Sequence, residues 1–147
     1  MARNAISPPS GFDSSRAEFF IEFKSKSESD PFRSPQDVAT NNHMEHLPMD
    51  MAPDSMPGAM VAGQITTYAT LILGSQYRMH TFLVLIVGDY ARLFRWDRSG
   101  AVVSEKIKYH EESYLFNFLI HYNHANPAMR GHDITINDST TEEEQDA

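Results

Sequence analysis

Hydrophobic positions crowd into residues 61–122, and the core is expected to come mostly from that stretch. Its densest part, Phe82-Leu83-Val84-Leu85-Ile86-Val87, is short, continuous and rich in β-branched residues, which suits a strand buried on both faces. Gly88-Asp89 offers a turn, and residues 91–96 read as the next strand. Asp97-Arg98-Ser99-Gly100, with Asp first and Gly last, has the chemistry of a type I turn. Residues 101–109 supply a third strand, giving a three-stranded antiparallel meander. Ahead of it, from Gly63, the positions Ile65, Tyr68, Ala69, Ile72, Gln76 and Met79 recur at helical spacing. Gly74 weakens that helix by about 1 kcal/mol relative to Ala and invites a close packing contact. After the meander, Ser113 is placed to cap a helix whose apolar stripe is Leu115, Phe118, Leu119 and Tyr122.

Outside this block the pattern weakens. Residues 1–17 read as a mobile lead-in. In residues 18–24, Phe19, Ile21 and Phe23 alternate with Phe20, Glu22 and Lys24, as in a strand. Residues 25–58, rich in Pro, Met, Ser, Asp and Asn, are expected to be a disordered loop, and residues 134–147 an acidic tail. The expected fold is therefore α+β, or an α/β fragment, in one domain over residues 18–133.

Composition narrows the function classes. The 147 residues carry a formal net charge of −8, which gives no strong nucleic-acid signal. With no Cys, a disulfide scaffold and a Cys-based zinc site are excluded. The first residues lack the apolar stretch of a secretory signal. The run at residues 82–87 is too short to span a bilayer, so an intracellular, cytoplasmic or nuclear protein is expected. Neither His43 and His46, in a Met/Pro-rich stretch, nor His121 and His124, at a helix end, make a metal site of expected strength. The Met cluster of residues 44–60 reads as disordered sequence, not a thioether copper site.

Protein-kinase phosphotransfer needs a glycine-rich loop, a strand lysine, a His-Arg-Asp-like loop and an Asp-Phe-Gly metal ligand; none is in this sequence. Yet Gly63-Gln64-Ile65-Thr66-Thr67-Tyr68-Ala69, Gln76-Tyr77-Arg78, residues 82–93 with Gly88-Asp89, and Arg95-Trp96-Asp97-Arg98-Ser99-Gly100 resemble the fungal-type protein kinase family. Phe20-Ile21-Glu22-Phe23-Lys24, Asp30-Pro31-Phe32 and Arg130-Gly131-His132-Asp133 extend the likeness; Ala62 stands where that family usually has Arg. The resemblance implies an amino-terminal, non-catalytic part of such a protein, truncated or fragmentary. Its partner would be a kinase core, and ATP and Mg²⁺ would be expected only of the full-length kinase.

A second pattern overlaps the first. Glu22-x-Lys24 on a strand, with Asp13 upstream and Gln64-x-x-x-Tyr68 on the following helix, is similar to PD-(D/E)XK nucleases. There the carboxylates hold a divalent metal and the lysine activates water. An alternating strand that simply presents Glu and Lys to solvent explains the same residues. Arg95 and Asp97, on one side of their strand, are expected to form a structural ion pair beside a buried Trp96, with a small exposed anion-binding patch of Arg92, Arg95 and Arg98 as the alternative. An interaction domain using the meander surface and the acidic tail is the remaining option.

Overall fold

The computed structural model describes residues 13–32 and 56–136. Among these, a four-stranded mixed sheet in the order β1-β2-β3-β4 is flanked by two helices. The strands are β1 (Phe20–Lys24), β2 (His80–Val87), β3 (Tyr90–Asp97) and β4 (Gly100–Val103), and the helices are α1 (Met56–Ser75) and α2 (Tyr114–His124). The α+β content is as expected from sequence. His43, His46 and most of the Met cluster lie outside the described residues.

The meander needs correction. β1 joins it, pairing parallel to β2 with Phe20 opposite Leu83 and Lys24 opposite Val87, so the sheet has four strands. A parallel pair needs a crossover, and α1 provides it. The third strand is also shorter than expected. After Val103 the chain leaves the ladder: the Ser104 N–H still donates to the Leu93 carbonyl, but the Leu93 N–H donates to the Ser104 hydroxyl, while the Ser104 carbonyl accepts from Arg92. Only Ile107 returns, as an isolated bridge to Ala91.

The helices shift too. α1 begins at Met56, inside the expected loop; Pro57 is tolerated in a first turn, where backbone N–H groups have no helical partner. It stops at Ser75, so Gln76 and Met79 lie beyond it and Met79 is exposed. Tyr77 takes a positive φ of 51° as the chain turns into β2. A Cβ at Gly74 would meet nothing, so no close contact explains that glycine. Ser113 occupies the N-cap position of α2 without making a side-chain capping bond; its hydroxyl instead accepts from Asn117. Residues 14–16 of the supposed lead-in form a short 3-10 turn, held where Ser75 and Gln76 donate to the Ser14 carbonyl.

The core lies between α1 and one sheet face. Val61 and Ile65 pack with Leu83, Leu85, Val87, Phe94 and Phe32, and Phe20 stacks on Tyr68 at 4.5 Å. On the other face α2 lays Phe118 and Tyr122 against Phe19 and Phe82.

Phe32 belongs to the expected disordered loop, and one ion pair holds it in place. Arg92 is fully buried and donates from Nε to both Asp30 oxygens, at 2.9 and 3.1 Å. Its other nitrogens reach the Ser104 and Phe32 carbonyls. Asp30 also accepts from the Tyr90 hydroxyl and the Phe32 N–H. Arg92 shares its strand side with Phe94 and Trp96, opposite to Arg95. The Arg95–Asp97 pair expected from sequence forms, at 3.3 Å, and burial of Arg92 removes the alternative patch with Arg95 and Arg98.

Removing one partner of a buried pair leaves an uncompensated charge. Asp30→Ala is expected to lower unfolding free energy in urea by about 3–5 kcal/mol. Replacing both Asp30 and Arg92 with Leu should cost less than Asp30→Ala alone. A larger loss in the double variant would refute this account of the clamp.

Candidate functional site

Three groups of side chains carry chemistry. The first is the nuclease-like set. Glu22 and Lys24 lie on the face of β1 that also carries Phe20, beneath α1. Lys24 Nζ is 2.6 Å from Glu22 Oε1, and both side chains are largely buried. Tyr68 stands close by: burial and then the Glu22 carboxylate raise its hydroxyl above the ordinary value, against a smaller lowering by Lys24. The C-terminal end of α1 meets Ser14 and Ala17, before β1, so the helix runs back along the strand. Half-buried Gln64, one turn before Tyr68, thus lies toward the Lys24 end.

Asp13 does not join this set. Its exposed carboxylate accepts from the Ser15 N–H and hydroxyl and pairs with Arg16, and these bonds hold its acidity up. The next residue, Ser14, is the one that meets Ser75, and the residues between Tyr68 and Ser75 advance a helix by about 10 Å. Among the described residues, no group of three or more His, Asp or Glu side chains is placed to hold a metal. A divalent ion at Glu22 would have to displace Lys24 and would find no help from Asp13.

The second group is the block Arg95-Trp96-Asp97-Arg98-Ser99-Gly100. It spans the end of β3, the β3–β4 turn and the start of β4; Asp97 accepts from the Ser99 N–H and hydroxyl, and Gly100 takes a φ of 146° that favours glycine. Gly88, at a φ of 53°, serves the same purpose beside exposed Asp89 in the β2–β3 turn. With Ala69, Thr70, Leu73 and Gly74 of α1, the β3–β4 turn lines a groove of about 480 Å³. Trp96 Nε1 and its cross-strand neighbour Thr81 Oγ1 are buried without a hydrogen-bond partner. Gly63 is exposed, and a Cβ there would meet nothing.

The third group was not assembled by sequence reasoning. Arg78 is 1% exposed and donates to Gln76 Oε1, the Arg130 carbonyl and the Ala17 carbonyl. Its Nη2 also faces Glu18 Oε2 at 3.4 Å. The same oxygen faces the Tyr122 hydroxyl at 3.0 Å, His132 Nε2 at 3.8 Å and Arg130 Nη1 at 3.9 Å. Arg130 is braced by the Ala125 and Asn123 carbonyls and lies over the Tyr122 ring. Gln76-Tyr77-Arg78 and Arg130-Gly131-His132 each stand out in the sequence without being paired there; the structure joins them by a bridge between Arg78 and His132. Gly131 permits this approach, since a Cβ there would collide with the His80 carbonyl.

Elsewhere, His121 and His124 direct Nδ1 at the Asn117 and Ile120 carbonyls near the end of α2. Among the described residues no helix is long and apolar enough to cross a membrane. No family model, curated protein or solved structure matches the chain.

The Glu18 cluster sets an acid limit on stability. Burial works to raise the Glu18 carboxyl, but Tyr122 and Arg78 outweigh it and hold it below its ordinary value. Burial and then Arg78 push the His132 imidazole below 6.5, against the pull of Glu18. Both groups bind protons more readily when the chain is unfolded, so acidification favours unfolding. Urea unfolding followed against pH should show stability falling first below about 6.5 through His132, then further in the carboxylate range through Glu18. The upper step should vanish in His132→Gln; its persistence there would assign it to another group.

Proposed function

We propose that this chain is a non-catalytic accessory domain of a fungal-type protein kinase polypeptide, acting by docking to a kinase core. The reading rests on the resemblance of residues 63–69, 76–78, 82–93 and 95–100 to that family. One observation carries the non-catalytic part: the residues behind the resemblance build the fold. Arg92 buries itself on Asp30, Gly88 and Gly100 make the sheet turns, and Arg78 braces the junction between α1 and β2. Docking has material in the exposed Tyr114, Phe116 and Ile120 of α2.

Glu22, Lys24, Gln64 and Tyr68 favour a second reading, a degenerate or active nuclease-like domain. The strand-helix-strand unit brings Glu22, Lys24 and Tyr68 together, with Gln64 a turn away. Lys24 would orient water and Glu22 would hold a divalent ion. The exposed position of Asp13, tied to Ser15 and Arg16, counts against full activity.

Two assays separate the readings. The purified chain should show no ATP turnover and no phosphate transfer to a generic acceptor protein, while a separately expressed kinase core should bind it. ATP turnover would overturn the accessory reading. DNA cleavage with Mg²⁺ or Mn²⁺ that disappears in both Glu22→Gln and Lys24→Met would replace it with the nuclease reading.

A further inference from the structure

We propose that Arg78, Arg130, His132 and Tyr122 form a binding site for a phosphoryl group, and that Glu18 occupies it as an internal stand-in. The inference does not depend on either functional reading above.

The geometry of one oxygen carries it. Glu18 Oε2 faces four groups, of which only the Tyr122 hydroxyl, at 3.0 Å, is at full hydrogen-bonding distance. Arg78 Nη2 stands off at 3.4 Å, His132 Nε2 at 3.8 Å and Arg130 Nη1 at 3.9 Å. All four converge on this one of the carboxylate's two oxygens, and from there it closes fully on Tyr122 alone. A tetrahedral phosphoryl group presents three strong acceptor oxygens and is able to distribute them among the four.

The cationic groups are also held ready. Arg78 is fixed by Gln76 and by the Arg130 and Ala17 carbonyls. Arg130 spends Nε and Nη2 on the Ala125 and Asn123 carbonyls, which leaves Nη1 directed at Glu18. Arginines oriented by their other nitrogens lose little freedom on gripping an anion.

Charge and access agree. Two guanidiniums face one carboxylate, so a phosphoryl dianion would balance the cluster better than Glu18 does. The mouth is open: the Glu18 side chain is 46% exposed, that of His132 33% and that of Arg130 29%. When the Glu18 carboxylate swings out, the Tyr122 hydroxyl keeps an alternative acceptor in the Glu18 carbonyl at 3.1 Å. Arg78 then loses its countercharge unless an anion enters, so departure of Glu18 and arrival of phosphate are coupled.

The test titrates the full chain with orthophosphate at constant ionic strength and follows the His132 imidazole by NMR. Orthophosphate should perturb His132 saturably, and more strongly than equal chloride. Glu18→Gln removes the competing charge and should tighten phosphate binding by about tenfold, whereas Arg130→Gln should weaken it by a similar factor. A phosphoserine peptide of otherwise neutral sequence, run beside free orthophosphate, tells whether the group is taken from a modified side chain or from solution. Absence of saturable perturbation in the unsubstituted chain overturns the proposal even if Glu18→Gln fails to fold. So does equal or weaker phosphate binding in a folded Glu18→Gln variant, which would make the cluster a structural ion-pair hub.

Discussion

The ion pair between Arg92 and Asp30 is the constraint on which the architecture rests. A guanidinium in the middle of a sheet face is a severe cost unless every donor is met. Here Asp30 takes Nε with both oxygens, and the Ser104 and Phe32 carbonyls take the remaining arms. Meeting those demands draws three separate pieces of chain together. The residues after β1 are pulled over the sheet, Phe32 is set against Phe94, and the chain is turned away from the ladder at Ser104. Much of the departure from a simple meander therefore follows from one buried charge.

The same clamp helps explain the parallel placement of β1. A strand of alternating apolar and polar residues has little preference of its own between sheet edges. Asp30, six residues beyond Lys24, is tied to β3, while Ser14 and Ala17, just before β1, are tied to the C-terminal end of α1. With both flanks fixed, β1 runs from the end of the helix toward its start. That brings Glu22 and Lys24 under Tyr68 and leaves Asp13 at the far end. The arrangement that assembles most of the nuclease-like pattern is thus also the one that removes its upstream carboxylate.

Legibility in the sequence followed the strength of local pattern. β2 and most of β3 were readable because a continuous apolar run between two turn signals has few alternatives. The start of α1 was not, since Met56, Pro57 and Gly58 carry the composition of a loop, and only burial of Gly58 and Val61 makes helix the better state. β1 was readable as a strand but not as a parallel one, and its alternation misled about the face: Ile21 and Phe23 are exposed, while Glu22 and Lys24, expected to face solvent, lie largely buried under α1. The Arg92 position was open to a parity argument: it shares a strand side with Phe94 and Trp96. The sequence offered no equally direct sign that Asp30, 62 residues away, would meet it. The Glu18 cluster was beyond local reasoning for the same reason, its members coming from four separate segments.

The two buried arginines separate structure from candidate function. Arg92 meets its carboxylate at ordinary hydrogen-bond lengths in a fully enclosed setting, and nothing could replace Asp30 there without opening the core. Arg78 is just as buried, yet its countercharge is a half-exposed glutamate at a longer distance, shared with the Arg130 guanidinium and the His132 imidazole. A carboxylate that serves only stability gains most by closing on one partner in an enclosed site. One held at the mouth, with most of its donors standing off, is easily exchanged for an anion with more oxygens. The physical difference between the pairs lies in how readily the negative partner can leave, and by that measure Arg78 is the available one.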